Sequence, residues 1–320
     1  MAWFQKLTGF RETSYEHARQ NLFMQGSHLV SRVNNQSYDI GEFKFSSLAK
    51  IRQLAAAQPG AHDGTFTTIV GNVAVLHTKP EYDGALFQVA SQFNALEMTS
   101  PSITPEAGVG IYEHDRTQGP ACAISAGAAT IFRNYFVFGT EGQTRDHQLD
   151  GLADLGAELV RNGVAKSVSE LWDMRNGYAL AKRRGLGLIR DYIATLTVDE
   201  YDALVSKLAF AMHFDAQVTT AAGTTNRVSQ IFCSALPVAY TNIPAGEWGP
   251  FAQLVLDGVY EATLLVGRLN MLRGRSNLVM LTRVGGGVFG NRDAWIDQAI
   301  KRALRVVDTT GLDIRMVKYG

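Results

Sequence analysis

The chain carries no net charge: its 320 residues hold 30 Lys and Arg against 30 Asp and Glu. Electrostatic binding to bulk nucleic acid or to an anionic membrane therefore has no support beyond what a local basic patch supplies. Cysteine is scarce. Cys122 and Cys233 stand far apart in apolar surroundings and read as reduced core thiols rather than a disulfide, which suits the cytoplasm. No run of ~20 apolar residues is present to span a bilayer. Met1-Ala2-Trp3-Phe4-Gln5-Lys6 shows neither the apolar core nor the small-residue cleavage site of a signal peptide. The seven histidines form no HExxH and no cluster with cysteine, so no metal site is expected. A Gly-x-Ser-x-Gly elbow is missing too, which weighs against a serine hydrolase. What the chain does have is apolar mass. With 46% hydrophobic and 19% charged residues it can bury a sizeable core, and disorder is excluded as its general state.

The most informative stretch lies near the C-terminus. Leu278-Val279-Met280-Leu281-Thr282 is β-prone, Gly285-Gly286-Gly287-Val288-Phe289-Gly290-Asn291 follows, and Trp295-Ile296, Ala299-Ile300 and Ala303-Leu304 then repeat at helical spacing. A loop without side chains lets backbone N–H groups close on a phosphate, and the positive end of the next helix favours an anion. No Lys-Ser/Thr follows the glycines, so this is not a P-loop, and the spacing of a dinucleotide fingerprint is absent. A tight turn needing positive φ explains the same glycines without any ligand.

Strands and helices alternate along the rest of the chain, which places it in the α/β class. Helical spacing runs over Tyr15 to Met24 and Ser46 to Ala57, and Gln58-Pro59-Gly60 ends the second stretch. Residues 1–60 thus read as an N-terminal extension with some helix, packed on a main domain of residues 61–320. Thr65 to Leu76 and Ala85 to Ala90 are strand-like, Ala121 to Tyr135 reads as one buried helix, and Gln148 to Arg161 as an amphipathic one. Ser167 with Glu170 and Thr197 with Glu200 have the spacing of capping boxes, opening helices near 168–193 and 198–210. Ala211 to Thr219 and Val228 to Leu236 look like strands, Phe251 to Leu272 like a long helix, and Leu312 to Val317 like a last strand.

Two further stretches could carry chemistry. In Phe87-Gln88-Val89-Ala90-Ser91-Gln92-Phe93-Asn94-Ala95-Leu96-Glu97 a buried strand runs into polar residues, and ligands in open α/β sheets sit beyond strand C-termini. Amides there can read ribose hydroxyls, though Asn94 is equally suited to capping a turn. The loop from Thr104 to Pro120 is long, holds Gly and Pro hinges, and carries Glu106, Glu113 and Asp115. Two carboxylates near one ligand can divide acid and base roles. Pairing with Arg116 or Arg133 on a solvated loop is the structural alternative.

Taken in order, these motifs resemble the macrodomain superfamily. Val70-Gly71-Asn72-Val73-Ala74 looks like its early Gly-Asp-Ile-Thr strand, Ala85 to Leu96 like its strand ending in Ala-Asn, and Leu281 to Asn291 like its phosphate loop. The set Gln92-Phe93-Asn94-Ala95-Leu96-Glu97, then Asp115-Arg116-Thr117-Gln118-Gly119-Pro120, then the triple glycine, looks like the divergent poly(ADP-ribose) glycohydrolase-like branch that includes MavL-type ADP-ribosyl-arginine hydrolases. The likeness covers roughly residues 65–320. It implies a three-layer α/β/α fold with a mixed central sheet. It implies a hydrolase that removes mono-ADP-ribose from protein side chains, arginine foremost, by metal-independent cleavage of the C1″ N-glycosidic bond. A non-catalytic ADP-ribose reader and a hydrolase of a free ADP-ribose derivative are the alternatives. By this resemblance Asp115, Glu106 and Glu97 are the catalytic candidates. Gln92, Asn94, Gln118, Gly285, Gly286, Gly287, Val288, Phe289, Gly290 and Asn291 are the substrate-binding ones. The expected partner is ADP-ribose or an ADP-ribosylated protein, with no cofactor, no metal, no nucleic acid and no membrane, and a cytoplasmic monomer is expected. Asn72 stands where common macrodomains have an adenine-contacting Asp. The Gln-Glu-Glu of polymer-cleaving enzymes is missing near Asp115.

Overall fold

The computed structural model describes residues 2–56, 63–221 and 223–319. The Gln58-Pro59-Gly60 helix stop lies outside them. In chain order the elements are α1 (Trp3–Thr8), α2 (Tyr15–Asn21), β1 (Leu22–Gln25), β2 (His28–Ser31), β3 (Ser37–Asp39), β4 (Glu42–Ser47), α3 (Leu48–Ala55), β5 (Thr65–Val70), α4 (Val73–Thr78) and β6 (Leu86–Ala90). There follow α5 (Gln118–Ser125), α6 (Gly127–Tyr135), α7 (Ala153–Arg161), β7 (Trp172–Arg175), β8 (Tyr178–Ala181), α8 (Arg183–Ile193), α9 (Val198–Val205) and β9 (Ala209–Gln217). The chain closes with β10 (Arg227–Cys233), α10 (Ala245–Leu272), β11 (Leu278–Leu281), α11 (Asp293–Val306) and β12 (Asp313–Lys318).

A seven-stranded sheet in the order β4-β9-β10-β6-β11-β12-β5 forms the middle of the molecule. β9 runs antiparallel to both its neighbours, and the pairs from β10 across to β5 are parallel. Side chains alternate across it as strand geometry requires. Leu86, Ile231, Cys233, Val279 and Leu281 join the core under α3, α8, α9, α10 and α11. Phe87, Val89, Phe232 and Met280 face the other way, toward Val73 and Leu76 of α4 and Cys122 of α5. The result is the three-layer α/β/α arrangement with a mixed sheet that was expected. Gln88 is polar yet fully buried. It donates to Thr263 of α10 at 2.8 Å and accepts from the Thr282 N–H at 3.0 Å, so it ties the helical layer to the end of β11.

Several local expectations are corrected. The first 56 residues are more than a helical extension. They build a three-stranded sheet, β1-β2-β3, and supply β4, the edge of the central sheet, which pairs with β9 from Glu42↔Phe214 to Ser47↔Ala209. A division at residue 60 therefore does not follow the sheet. The strand begun at Thr65 ends at Val70, because the Asn72 side chain caps α4 by accepting from the Ala74 N–H at 2.9 Å. The single helix expected over Ala121 to Tyr135 is two, α5 and α6, broken at Ala126 with φ −108° and ψ 57°. The Thr197–Glu200 capping box is present, whereas the Ser167 side chain makes no cap. Between them the expected helix over 168–193 is a β-hairpin, β7–β8, followed by α8. The long helix α10 begins at Ala245 and contains Pro250 in its second turn, where the ring removes one intrahelical N–H donor.

Charged side chains close the helical layer. Arg52 of α3 and Arg302 of α11 both reach Asp202 of α9 and Glu261 of α10, at 2.5 to 2.7 Å. On the opposite layer His77 is fully buried, with its ring stacked 3.8 Å from that of Phe87 and Nδ1 placed 2.7 Å from the Val73 carbonyl. Burial holds its pKa down at about 4, against about 6.5 for an unfolded histidine. The unfolded chain then takes up a proton that the fold refuses, so this contribution is complete above pH 6.5 and is lost as pH falls toward 4. The slope is roughly 1.4 kcal/mol per pH unit. Glu97, whose carboxyl is pushed up to about 7, works with the opposite sign between pH 4.5 and 7. Comparing wild type with His77→Phe in denaturant titrations from pH 7 to 4 isolates the histidine. The variant should lose stability less steeply on acidification, and equal slopes would count against the buried-neutral assignment.

Candidate active site

A cleft of about 250 Å³ opens at the C-terminal ends of the parallel strands. Ala90, Ser91 and Gln92 enter it from the end of β6, Ala235 from beyond β10, and Thr282 to Gly285 with Gly287, Val288 and Phe289 from the loop after β11. Glu97, Asp115, Gln118, Tyr178 and Tyr240 complete the wall.

The glycine loop divides into a front and a back. Among the described residues no acceptor takes the N–H groups of Gly285, Gly287, Val288 and Phe289, and all these residues face the cleft. Such a row of unpaired amides suits an anion. Gly285 has φ +75°, and a Cβ on it would come within 2.3 Å of the Ala235 Cβ, so glycine is required there. A Cβ on Gly287 would meet nothing within 4 Å. Gly286, Gly290 and Asn291, expected as ligand contacts, do not line the cleft. A Cβ on Gly286 would press on the Ile296 side chain at 3.0 Å, and one on Gly290 on the Ala239 Cβ at 2.9 Å. Asn291 closes the loop from behind: its N–H reaches the Gly285 carbonyl at 2.9 Å and its side chain the Leu236 carbonyl at 2.8 Å. The start of α11 does not face the cleft either. Its first residue, Asp293, is held by Arg283 at 2.8 Å, so the amides rather than the helix terminus present positive potential to a ligand.

The three carboxylates separate clearly. Glu97 reaches the cleft yet is only 1% exposed. Burial raises its pKa to about 7, with Arg133 pulling the other way. Its backbone N–H donates to the Tyr112 hydroxyl at 3.1 Å. Asp115 also lines the cleft, held in an Asx turn by the Thr117 N–H at 2.8 Å. Glu106 is not part of the cleft. It accepts the Arg145 N–H at 2.8 Å and serves the loop instead. A fourth acid, Glu12, is one that sequence reasoning did not single out. It accepts from the N–H groups of Val109 and Gly110 and from the Tyr135 hydroxyl, so the N-terminal segment pins the loop that leads to Tyr112 and Asp115.

The amides divide in the same way. Gln92 lines the cleft, and its buried Oε1 has no partner among the described residues. Gln118 lines it too, but its amide spans the end of β6, accepting from the Ala90 N–H and donating to the Gln88 carbonyl at 2.9 and 2.7 Å. Asn94 is a correction: it is fully buried behind the cleft, accepts from the Leu96 N–H at 3.1 Å and donates to Gln148 at 2.9 Å. The turn it holds places Ala95 at φ +59°.

Phe289, Tyr178 and Tyr240 form an aromatic wall with ring centroids 5.4 to 5.5 Å apart. Tyr178 donates to the Met98 carbonyl at 2.5 Å and takes the Gln92 amide at 3.4 Å. It arrives on the β7–β8 hairpin, whose turn residues Asn176 and Gly177 have φ +48° and +78°. Asn-Gly between two β-prone runs was the available signal for that hairpin.

A second cavity of about 540 Å³ shares Thr117, Gln118 and Thr282 with the cleft and extends it to Asn72, Arg116 and Tyr319. A larger one, about 700 Å³, lies against α3, α9 and α11 beside the Arg52–Asp202–Arg302–Glu261 cluster, away from the strand ends. Asp202 and Glu261 there are already paired with Arg52 and Arg302, and the cavity lies apart from the strand ends that carry the glycine loop. Among the described residues no group of three or more His, Cys, Asp or Glu stands close enough to hold a metal ion, and no helix is long and apolar enough to cross a membrane.

No protein-family model matches the chain, and no curated protein matches it. Solved structures do. Poly(ADP-ribose) glycohydrolase from Deinococcus radiodurans in complex with ADP-ribose is 11% identical, with a TM-score of 0.45 over 97% of this chain and 91% of that one. Poly(ADP-ribose) glycohydrolase from Thermomonospora curvata is 13% identical, with a TM-score of 0.46 over 95% and 89%. The likeness is one of fold. What this chain's cleft can do is set by its own residues.

Proposed function

We propose that the chain binds ADP-ribose along the cleft and its extension and hydrolyses the bond at C1″ of the distal ribose. The substrate is mono-ADP-ribosylated protein, with arginine as the first choice of linkage. The observation that carries this reading is the meeting of unpaired loop amides and the buried Glu97 carboxyl in one cavity. The amides suit a diphosphate, and a carboxyl with a pKa of about 7 can both give and take a proton at neutral pH. The motif resemblance supports the same ligand. In this scheme Glu97 protonates the leaving guanidine nitrogen as the C1″–N bond breaks. Water adds at C1″, and Asp115 stabilises the oxocarbenium-like charge and takes the water proton. Phe289 packs against the distal ribose, and the free Oε1 of Gln92 accepts from one of its hydroxyls.

One observation favours the reader alternative: both Glu97 oxygens already face Arg133, at 3.3 and 3.2 Å. Two measurements separate the readings. Calorimetry with ADP-ribose should give saturable binding. A panel of Arg-, Ser- and Glu-linked mono-ADP-ribosylated substrates, with and without EDTA, should show release from arginine that the chelator does not stop. Binding without release from any linkage would establish a reader, and release confined to ester linkages or lost in EDTA would overturn the arginine scheme.

A further inference from the structure

The Glu97–Arg133 pair is built in a way that a purely structural ion pair is not. Both side chains are fully buried. Arg133, from α6, meets both carboxylate oxygens with a single nitrogen, Nη2, at 3.3 and 3.2 Å, and shares that nitrogen with Thr130 Oγ1 at 3.2 Å. Nη1 is buried without a partner among the described residues. A two-nitrogen fork on the carboxylate would be stronger and would leave no buried donor unmet. The guanidinium is instead held in place by other contacts. Nε donates to the Ala95 carbonyl at 2.9 Å, and the group lies 3.8 Å over the Phe232 ring. Ala95 is the residue with left-handed backbone in the turn that carries Glu97 into the cleft. One guanidinium therefore fixes both the strained turn and the carboxyl at its end.

We propose that Arg133 is a positioning residue of this site, aligning the Glu97 carboxyl with the cleft through one nitrogen so that its oxygens remain able to give and take a proton. The inference rests on the reading of Glu97 as the acid–base group. The other titratable groups around the pair are Tyr112 before α5, Cys122 on α5 and His213 on β9. Burial keeps the tyrosine and the thiol protonated and the imidazole uncharged, so Arg133 supplies the charge that acts on Glu97.

The test uses the full chain with Arg133→Met and Arg133→Lys, checked for folding by circular dichroism. The first readout needs no substrate: the carbon-13 signal of the Glu97 carboxyl is followed through a pH titration. With methionine its midpoint should move up by at least one pH unit. With lysine, which keeps the charge but not the Ala95 contact, the move should be smaller and in the same direction. The second readout is the pH profile of ADP-ribose release, whose limb should shift in parallel. At neutral pH kcat should fall about 100-fold while the affinity for ADP-ribose stays within a few-fold. Should the methionine variant fail to fold, the lysine variant carries both readouts. A folded variant whose carboxyl titration does not move overturns the proposal, even with an active wild type. A moved titration in a protein whose wild type hydrolyses no linkage overturns the acid–base reading beneath it, and the positioning role with it.

Discussion

Glu97→Gln is expected to bind ADP-ribose within a few-fold of wild type and to lose hydrolysis by roughly 100- to 10,000-fold, the range of general acid–base catalysis. Glutamine keeps the volume of the side chain and can still accept from Arg133 Nη2, but it has no proton to exchange. In the proposed scheme Glu97, 1% exposed in the cleft wall, acts on the transition state, so its removal should leave binding by the glycine loop intact. Asp115→Ala, assayed beside it, should also lose turnover with binding retained. Stopped-time release assays combined with calorimetry decide the ranking. Wild-type turnover by Glu97→Gln would remove it from the chemistry and leave Asp115 as the principal acid.

Gly287→Asp should abolish ADP-ribose binding, by 100-fold or more in Kd, or about 2.7 kcal/mol, with the far-ultraviolet circular dichroism unchanged. Glycine 287 has ordinary backbone and open space at its Cβ position, so the fold tolerates a side chain there. The new carboxylate would stand among the unpaired amides of Gly285, Val288 and Phe289, satisfy them, and repel a diphosphate. Gly286→Asp is the informative contrast. Its Cβ points at Ile296 of α11, so it should lower thermal stability rather than compete with the ligand. A folded Gly287→Asp protein with wild-type affinity would show that the loop serves only the turn.

Much of the fold was readable wherever short-range physics decides. The strands at Leu86–Ala90, Ala209–Gln217, Arg227–Cys233 and Leu278–Leu281 announce themselves as apolar β-prone runs, because they are buried on both faces. The Thr197–Glu200 box opens α9 with its own side chains, and the glycine loop must turn where φ has to be positive. These signals depend on neighbours within a few residues. The hairpin at 172–181 was hidden behind a false capping box, although Asn176-Gly177 marks its turn. β4 was hidden because its strand state comes from pairing with β9, far along the chain.

The site divides along the same line. That a carboxyl, an amide-rich turn and a bare loop come together was legible from their order, and members of all three line one cleft. Which members face the cleft was not. Glu106 and Asp115 are alike in sequence, yet only Asp115 reaches the cleft. Asn94 and Gln92 are alike, yet Asn94 is spent on holding its own turn. Gly286 and Gly287 are adjacent, yet a Cβ on the first would meet Ile296 and one on the second only open space. Tyr178, Arg133 and Glu12 enter only when distant segments meet. Composition and local pattern are enough to specify elements, since backbone propensity and turn geometry act over a few residues. Orientation, burial and the raised proton affinity of Glu97 depend on which surfaces the packed layers exclude from water, and that is a property of the assembled fold.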